Sequence, residues 1–227
     1  VSGTMVQEVY REAKQLMKEK QRIAVFASGN GSNYEAMMRT FQEEGWTRGE
    51  VALVVCDRPG AYVLKRAEKW GTPSFTLSMK DYPDKAAFET AILHQLKEFE
   101  IDFIVLAGYM RLLGPTLLNP YLGKIVNIHP SLLPAFPGKD AIGQALRYGV
   151  QVTGVTVHFV DEGMDTGPII AQRPVMIAKE DTYETLAKKI QAVEHELYPQ
   201  VIKACVEGKV RFKGGFYDGY TDKTRFN

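Results

Sequence analysis

The feature that most constrains the fold is a regular alternation of short apolar runs with amphipathic segments between residues 22 and 126. The apolar runs occupy residues 22–27, 51–56, 73–76, 101–107 and 121–126. Strands that alternate with helices are joined by right-handed crossovers and pair in parallel. The run at 101–107 is apolar almost throughout, which is typical of a strand covered on both faces. The sequence therefore predicts an α/β fold with a doubly wound, mostly parallel sheet, whose ligands bind at the carboxyl edge.

The C-terminal half of the chain departs from this alternation. Strand patterns at residues 153–160 and 168–177 are separated only by residues 161–167, so we expect an antiparallel pair, because a helical crossover does not fit. A long amphipathic helix is predicted over residues 181–207. We divide the chain into an N-terminal helical extension at 1–20, a main domain at 21–208 and a weakly ordered C-terminal tail at 209–227.

Charge and cysteine content exclude several classes of partner. Lys and Arg number 28 against 27 Asp and Glu, a net charge of +1, which favours neither nucleic acid nor an anionic membrane. Cys56 and Cys205 form no metal-spaced cluster and are too few for a disulfide framework. The chain has no long apolar run and no signal-peptide pattern. We expect a cytoplasmic protein that binds small molecules and no metal.

The strongest candidate for chemistry is the pair Asn127 and His129, which follows the apolar run at 121–126. Side chains of a strand alternate between faces, so both should project from the same face at the carboxyl edge of the sheet. An amide can donate a hydrogen bond to an oxyanion, and an imidazole can also deliver a proton near neutral pH. The alternative is a plain strand end, with Asn127 in a turn and His129 packed and satisfied.

A glycine-rich loop at residues 28–33 connects the first strand to the first helix. Glycine allows the tight turn, and the free N–H groups of the helix start favour an anion, with Ser32 or Asn33 as the predicted cap. A dinucleotide fingerprint needs a third glycine where Tyr34 stands, so a phosphate monoester is the better ligand. Asp57 lies where a nicotinamide enzyme would hold a ribose, which leaves a dehydrogenase as a weaker alternative.

Further candidates lie in the connections at the same edge of the sheet. An apolar loop with one basic residue, Arg111, follows the strand at 101–107 and could line a pocket for a flat ligand or belong to the core. In the acidic connector 161–167, Asp165 is expected to approach His129 and to favour the imidazolium. His158 is interpreted as a satisfied structural histidine, and Glu194 as a solvated helix carboxylate.

Taken together, residues 28–33, 110–113, 127–134 and 161–167 resemble the glycinamide ribonucleotide (phosphoribosylglycinamide) formyltransferases, and the similarity runs from about residue 22 to residue 208. The resemblance implies transfer of a formyl group from 10-formyltetrahydrofolate, as co-substrate, to the amine of glycinamide ribonucleotide in de novo purine biosynthesis. It implies that Asn127 and His129 stabilise a tetrahedral oxyanion, that Asp165 supports His129, and that His129 is the general acid.

The resemblance also implies two sets of binding residues. The nucleotide is expected at Gly31, Ser32, Asn33, Gln191, Ala192, Val193 and Glu194, with Glu194 orienting the amine. The folate is expected at Lys85, Met110, Arg111, Leu112, Leu113, Asn127, Asp161, Glu162, Gly163, Met164 and Asp165.

The sequence departs from this family in two places and leaves other interpretations open. Lys85 stands where relatives hold an arginine toward the folate tail, which keeps the charge but loses the bidentate fork, and residues 139–141 read Lys-Asp-Ala where some relatives have histidines. The alternatives are a 10-formyltetrahydrofolate hydrolase, a methionyl-tRNA formyltransferase, which would need a basic C-terminal module, and a ligand-binding sensor. The sequence leaves a monomer and a homodimer equally open.

Overall fold

The computed structural model describes residues 20–213 and 216–218 and contains one large sheet. The sheet has seven strands in the order β3-β2-β1-β4-β5-β6-β7. The strands are β1 (Gln21–Ala27), β2 (Gly49–Cys56), β3 (Ser74–Thr76), β4 (Phe103–Leu106), β5 (Ile125–His129), β6 (Val152–Phe159) and β7 (Ile169–Met176). Strands β1 to β5 pair in parallel, whereas β6 is antiparallel to both β5 and β7. The predicted fold class and the antiparallel C-terminal pair are confirmed.

Helices cover both faces of the sheet. They are α1 (Ser32–Glu43), α2 (Tyr62–Trp70), α3 (Lys85–Glu98), α4 (Pro115–Leu118), α5 (Ala141–Tyr148) and α6 (Tyr183–Val206), with a short 3-10 turn at Met79–Asp81. One apolar core lies between the sheet and α1, α2 and α6, and the other lies between the sheet and α3 and α4. Because apolar residues of β1 point alternately into these two cores, the strand is buried on both faces.

The long helix α6 is anchored beneath the strand ends that carry the candidate site. Buried Tyr198 donates its hydroxyl hydrogen toward the carbonyl oxygens of Leu106, at 2.7 Å, and Val126, at 3.1 Å. A buried hydroxyl needs such partners, because an unpaired one would cost free energy. Tyr198 therefore fixes the position of α6 relative to the carboxyl ends of β4 and β5.

Both predicted end segments lie largely outside the described residues. The predicted helical extension lies outside the described residues except for Lys20. Within the predicted tail, β8 (Arg211–Lys213) pairs in antiparallel fashion with β9 (Phe216–Asp218), the ring centroids of Phe212 and Phe159 lie 5.6 Å apart, and residues 219–227 lie outside the described residues. No helix in the part of the chain that the structure describes has the length and apolarity to cross a membrane.

Candidate active site

The predicted catalytic residues meet at the carboxyl end of β5. Nδ1 of His129 lies 3.4 Å from Oδ2 of Asp165, and Nδ2 of Asn127 lies 3.3 Å from Nε2 of His158. Nε2 of His158 lies 3.7 Å from Oδ1 of Asp165, so the four side chains form one cluster. The structure thus places Asn127, His129 and Asp165 together, as the same-face pattern and the acidic connector predict.

Both ring nitrogens of His129 face acceptors. Nε2 lies 2.8 Å from the carbonyl oxygen of Phe136, which can only accept, so this nitrogen carries a hydrogen. Nδ1 faces the carboxylate of Asp165, which is also an acceptor. The side chain of His129 is only 7% exposed, so water does little to weaken these interactions. His129 is therefore held between the carbonyl oxygen of Phe136 and the carboxylate of Asp165.

Asp165 is held as a carboxylate by its surroundings. Burial alone would raise the pKa of Asp165, but the adjacent His158 ring, the hydrogen bond from the N–H of Gly138 and the adjacent His129 ring together lower it below its usual value. The Gly138 nitrogen lies 2.8 Å from Oδ2. Asp165 has a left-handed backbone with φ of 56°, uncommon for a residue other than glycine and found where a site dictates side-chain direction.

His158 packs against this group as a buried histidine with a partner at each ring nitrogen, which agrees with its interpretation as a satisfied structural histidine. It lies directly opposite Asn127 in the antiparallel register of β5 and β6. Its Nδ1 donates to the carbonyl oxygen of Phe159 at 2.8 Å, so in the neutral ring Nε2 accepts from the Asn127 amide. One N–H of that amide is then bonded to His158, and the other can serve a ligand. The strand pattern places His158 inside, but only the register shows which residue faces it.

The glycine-rich loop leaves the start of α1 uncapped by any side chain. Gly31 is the N-cap residue with φ of 75°, and a Cβ atom there would lie 2.5 Å from Cγ2 of Val63. The predicted cap by Ser32 or Asn33 is wrong, because both side chains are bonded to α6 instead. The first N–H groups of α1 therefore remain without a side-chain cap and form a site suited to an anion.

Two residues of α6 reach this loop. Nε2 of Gln191 donates to Oγ of Ser32 at 2.9 Å, and Nδ2 of Asn33 donates to Oε2 of Glu194 at 3.1 Å. Residues three apart share a helix face, which explains why Gln191 and Glu194 point the same way. Ala192 is exposed, and Val193 packs against the core.

Glu194 is not the solvated helix carboxylate that the sequence suggests. Burial raises the pKa of Glu194, and the hydrogen bond from Asn33 offsets this only in part. A raised pKa makes the carboxylate a stronger base than one in water. This property suits a group that receives a hydrogen bond from an amine.

The loops predicted for the folate present exposed apolar side chains. Met110 is 63% exposed, Leu112 is 48% exposed and Met164 is 49% exposed, whereas Leu113 is 7% exposed and belongs to a core. The connector is held by Asp161, whose Oδ1 accepts from the Gly163 N–H at 3.0 Å and from the Thr166 hydroxyl at 2.7 Å; Glu162 next to it is exposed. Exposed large apolar groups at a strand edge fit a flat apolar ligand.

Both basic residues of the predicted folate set lie near carboxylates. Nζ of Lys85 lies 3.9 Å from Oε1 of Glu89, and Nε of Arg111 lies 2.7 Å from Oδ2 of Asp57. Asp57 is 4% exposed and its Oδ1 accepts the hydroxyl hydrogen of Ser28 at 2.5 Å. Since both carboxylate oxygens serve partners inside the protein, Asp57 is not arranged to hold a ribose, which argues against the dehydrogenase alternative.

Comparison with known proteins decides the family. A model of the formyl transferase family matches residues 21–202, which include every element from β1 to most of α6. The chain belongs to the formyl transferase family. Within the described part of this formyl transferase, no three His, Cys, Asp or Glu side chains are grouped so that they could hold a metal ion.

Among curated proteins, this formyl transferase is 59% identical to the phosphoribosylglycinamide formyltransferase of Bacillus subtilis over 182 residues, which cover 80% of the chain and 93% of that protein. It is 38% identical to the bovine trifunctional purine biosynthetic protein adenosine-3, over 93% of the chain and 21% of that protein. Among solved structures, glycinamide ribonucleotide transformylase 1 from Geobacillus kaustophilus is 61% identical with a TM-score of 0.79, covering 82% of this chain and 98% of its own. The corresponding enzyme from Symbiobacterium toebii is 42% identical with a TM-score of 0.84, over 88% and 94% of the two chains.

Proposed function

We propose that the protein transfers the formyl group of 10-formyltetrahydrofolate to the amine of glycinamide ribonucleotide in de novo purine biosynthesis. The observation that carries this proposal is the meeting of Asn127, His129 and Asp165 at one strand end. The names and identities of the relatives support the same substrates. We place the reaction in the cytoplasm.

The nucleotide site of the proposal is the loop at the start of α1. The phosphate would accept hydrogen bonds from the uncapped N–H groups that follow Gly31, where the helix dipole also favours an anion. Ser32 and Asn33 would act with Gln191 and Glu194 of the facing helix. Of the residues predicted on α6, these two carry the proposal, because Ala192 and Val193 point elsewhere.

The folate site of the proposal is the apolar surface beside the catalytic group. Met110, Leu112 and Met164 would lose exposed area against the pterin ring and so contribute binding free energy. The connector 161–165 would form one wall, and the positive charges of Lys85 and Arg111 would face the carboxylates of the folate tail.

The proposed chemistry uses the catalytic group as follows. The amine nitrogen attacks the formyl carbon, and the carbonyl oxygen becomes an oxyanion. Asn127 donates an N–H to this oxyanion, and the His129 imidazolium, paired with Asp165, stabilises its charge. The bond from carbon to the folate nitrogen then breaks, and the proton lost by the amine passes to that nitrogen. Because Nε2 of His129 donates to Phe136, His129 can act as the acid only when substrate or water replaces that carbonyl.

The test is to measure, by absorbance, the release of tetrahydrofolate from 10-formyltetrahydrofolate in the presence and in the absence of glycinamide ribonucleotide. We expect release only when the nucleotide is present. Release without the nucleotide would show that water is the acceptor and would assign a hydrolase. No release under either condition would contradict the proposed enzyme and favour a binding protein.

A further inference from the structure

A buried carboxylate joins the glycine-rich loop to the loop at residues 110–113. Oδ1 of Asp57 accepts the hydroxyl hydrogen of Ser28, and the same hydroxyl oxygen accepts the N–H of Met110 at 2.9 Å. Oδ2 of Asp57 accepts from Nε of Arg111 at 2.7 Å. Because the hydroxyl hydrogen of Ser28 is directed to Asp57, its lone pairs are free for Met110. Asp57 therefore fixes two consecutive residues of the second loop, one through Ser28 and one directly.

The guanidinium of Arg111 is held on one edge and one face. Its Nε edge bonds to Asp57, and its central carbon lies 5.4 Å from the centroid of the Phe88 ring. The side chain of Arg111 is 39% exposed, and no group among the described residues bonds to its two terminal nitrogens. A planar guanidinium fixed in this way presents its terminal N–H pair in one direction, which is the geometry that a carboxylate accepts with two bonds.

We infer that Asp57 is a positioning residue that sets the direction of Arg111 and thereby the affinity for the carboxylate-bearing end of the formyl donor. The inference rests on the proposed donor site and extends it by one residue that does not touch substrate. Asp57 acts by holding the Nε edge, so that the terminal N–H pair is already oriented when the donor binds. It also anchors Met110, whose side chain forms part of the apolar surface.

Asparagine at position 57 distinguishes the path from Asp57 through Ser28 to Met110 from the direct bond between Asp57 and Arg111. In Asp57→Asn the amide oxygen still accepts from Ser28, but the amide nitrogen would face Nε–H of Arg111, donor against donor. Ser28→Ala does the opposite, because it removes the bond to Met110 and leaves the Arg111 pair in place. Asp81→Asn, which neutralises an exposed acid in the 3-10 turn, controls for the change of net charge.

Steady-state kinetics of these variants test the inference. We expect Asp57→Asn to raise KM for 10-formyltetrahydrofolate about tenfold, while kcat and KM for glycinamide ribonucleotide stay within about twofold, because only donor alignment is lost. Asp81→Asn should match the wild type. A KM for 10-formyltetrahydrofolate that is unchanged or lowered would overturn the inference. A rise in KM for glycinamide ribonucleotide together with a fall in the thermal midpoint would also overturn it, because these changes indicate a structural role.

A double-mutant cycle with Arg111→Ala tests whether Asp57 acts through Arg111. We expect Asp57→Asn to change donor KM by less than about twofold when Arg111 is already removed, because coupled residues are not additive. The same tenfold change in that background would overturn the inference.

The activity of the wild-type protein distinguishes a failure of this inference from a failure of the proposed function. If the wild type releases no tetrahydrofolate, the proposed reaction fails, and calorimetric binding of tetrahydrofolate to the same four proteins of the cycle replaces the kinetic readout. The inference then stands only if Asp57→Asn weakens tetrahydrofolate binding when Arg111 is present and does not weaken it in the Arg111→Ala protein.

Discussion

The two sides of the candidate site, proposed for the nucleotide and for the folate, are built in different ways. On the nucleotide side, Ser32 and Asn33 are already bonded to Gln191 and Glu194 of α6, and Gly31 packs against Val63 with no space for a side chain. On the folate side, Met110, Leu112 and Met164 are half exposed or more. If the proposed function holds, the charged ligand meets a preformed site, whereas the flat ligand itself completes the apolar surface that it binds.

The largest effect is expected at the group that lies between the two sides. His129→Ala and Asp165→Asn each remove the pairing of the imidazole with the carboxylate, so kcat should fall by about 10²- to 10⁴-fold with both KM values little changed. The thermal midpoint shows whether the variants are folded, and His94→Ala, at an exposed helix position, is the matched control. A folded variant that keeps more than about a tenth of wild-type turnover would contradict these roles.

The second-largest effect is expected at Gly31, where the proposed nucleotide side leaves no space for a side chain. Gly31→Ala forces a Cβ to within 2.5 Å of Val63 at a left-handed backbone, so KM for glycinamide ribonucleotide should rise at least about tenfold, with a smaller change for the donor. Gly29→Ala is a matched control in the same loop, because a Cβ there meets nothing within 4 Å. Equal losses for both substrates would count against the assignment of the loop to phosphate.

A smaller effect is expected for the buried acid of α6. Glu194→Gln should raise KM for glycinamide ribonucleotide by several-fold, since the amide is a weaker acceptor for an amine. Exposed Glu196→Gln, two residues along α6, is the control.

The same substitution makes a prediction about stability. The folded-state pKa of Glu194 is raised, so its contribution to stability is fully present below the unfolded pKa and is lost as pH rises through the folded pKa. Glutamine titrates at no pH. The thermal midpoint of Glu194→Gln should therefore gain relative to wild type as the pH rises above about 4, and a relative loss would show that Glu194 is not destabilised by burial.

The smallest effect on activity is expected from a single exposed side chain of the folate side. Leu112→Ala should raise donor KM only about two- to fivefold and change the free energy of unfolding by less than about 0.5 kcal/mol, because Leu112 is 48% exposed. Leu113→Ala should instead destabilise the protein by about 2–5 kcal/mol, because Leu113 is buried. Urea unfolding of both variants measures the difference, and equal destabilisation would contradict it.

Local pattern predicts much of this site. The period of two along β5 places Asn127 and His129 together, and the short connector between β6 and β7 brings Asp165 back to the same edge. Both inferences need only the geometry of one strand or one connection, and both agree with the structure.

Contacts between distant segments account for what the sequence did not predict. The capping interpretation of Ser32 and Asn33 failed because their partners lie on α6, at sequence separations of 159 and 161 residues. The contact of His158 with Asn127 depends on the register of β5 against β6, and the contacts of Asp57 depend on two other loops. No local signal specifies such pairings.

The long separation between the glycine-rich loop and α6 also bears on how the protein is made. Strands β1 to β5 can pair as the ribosome delivers them, but the side chains of Ser32 and Asn33 receive their partners Gln191 and Glu194 only after residue 194 has been synthesised and α6 has docked. Closing a connection of this length is slow relative to local structure. The proposed phosphate loop, which leaves the ribosome early, is thus completed only when one of the last helices of the chain has folded onto it.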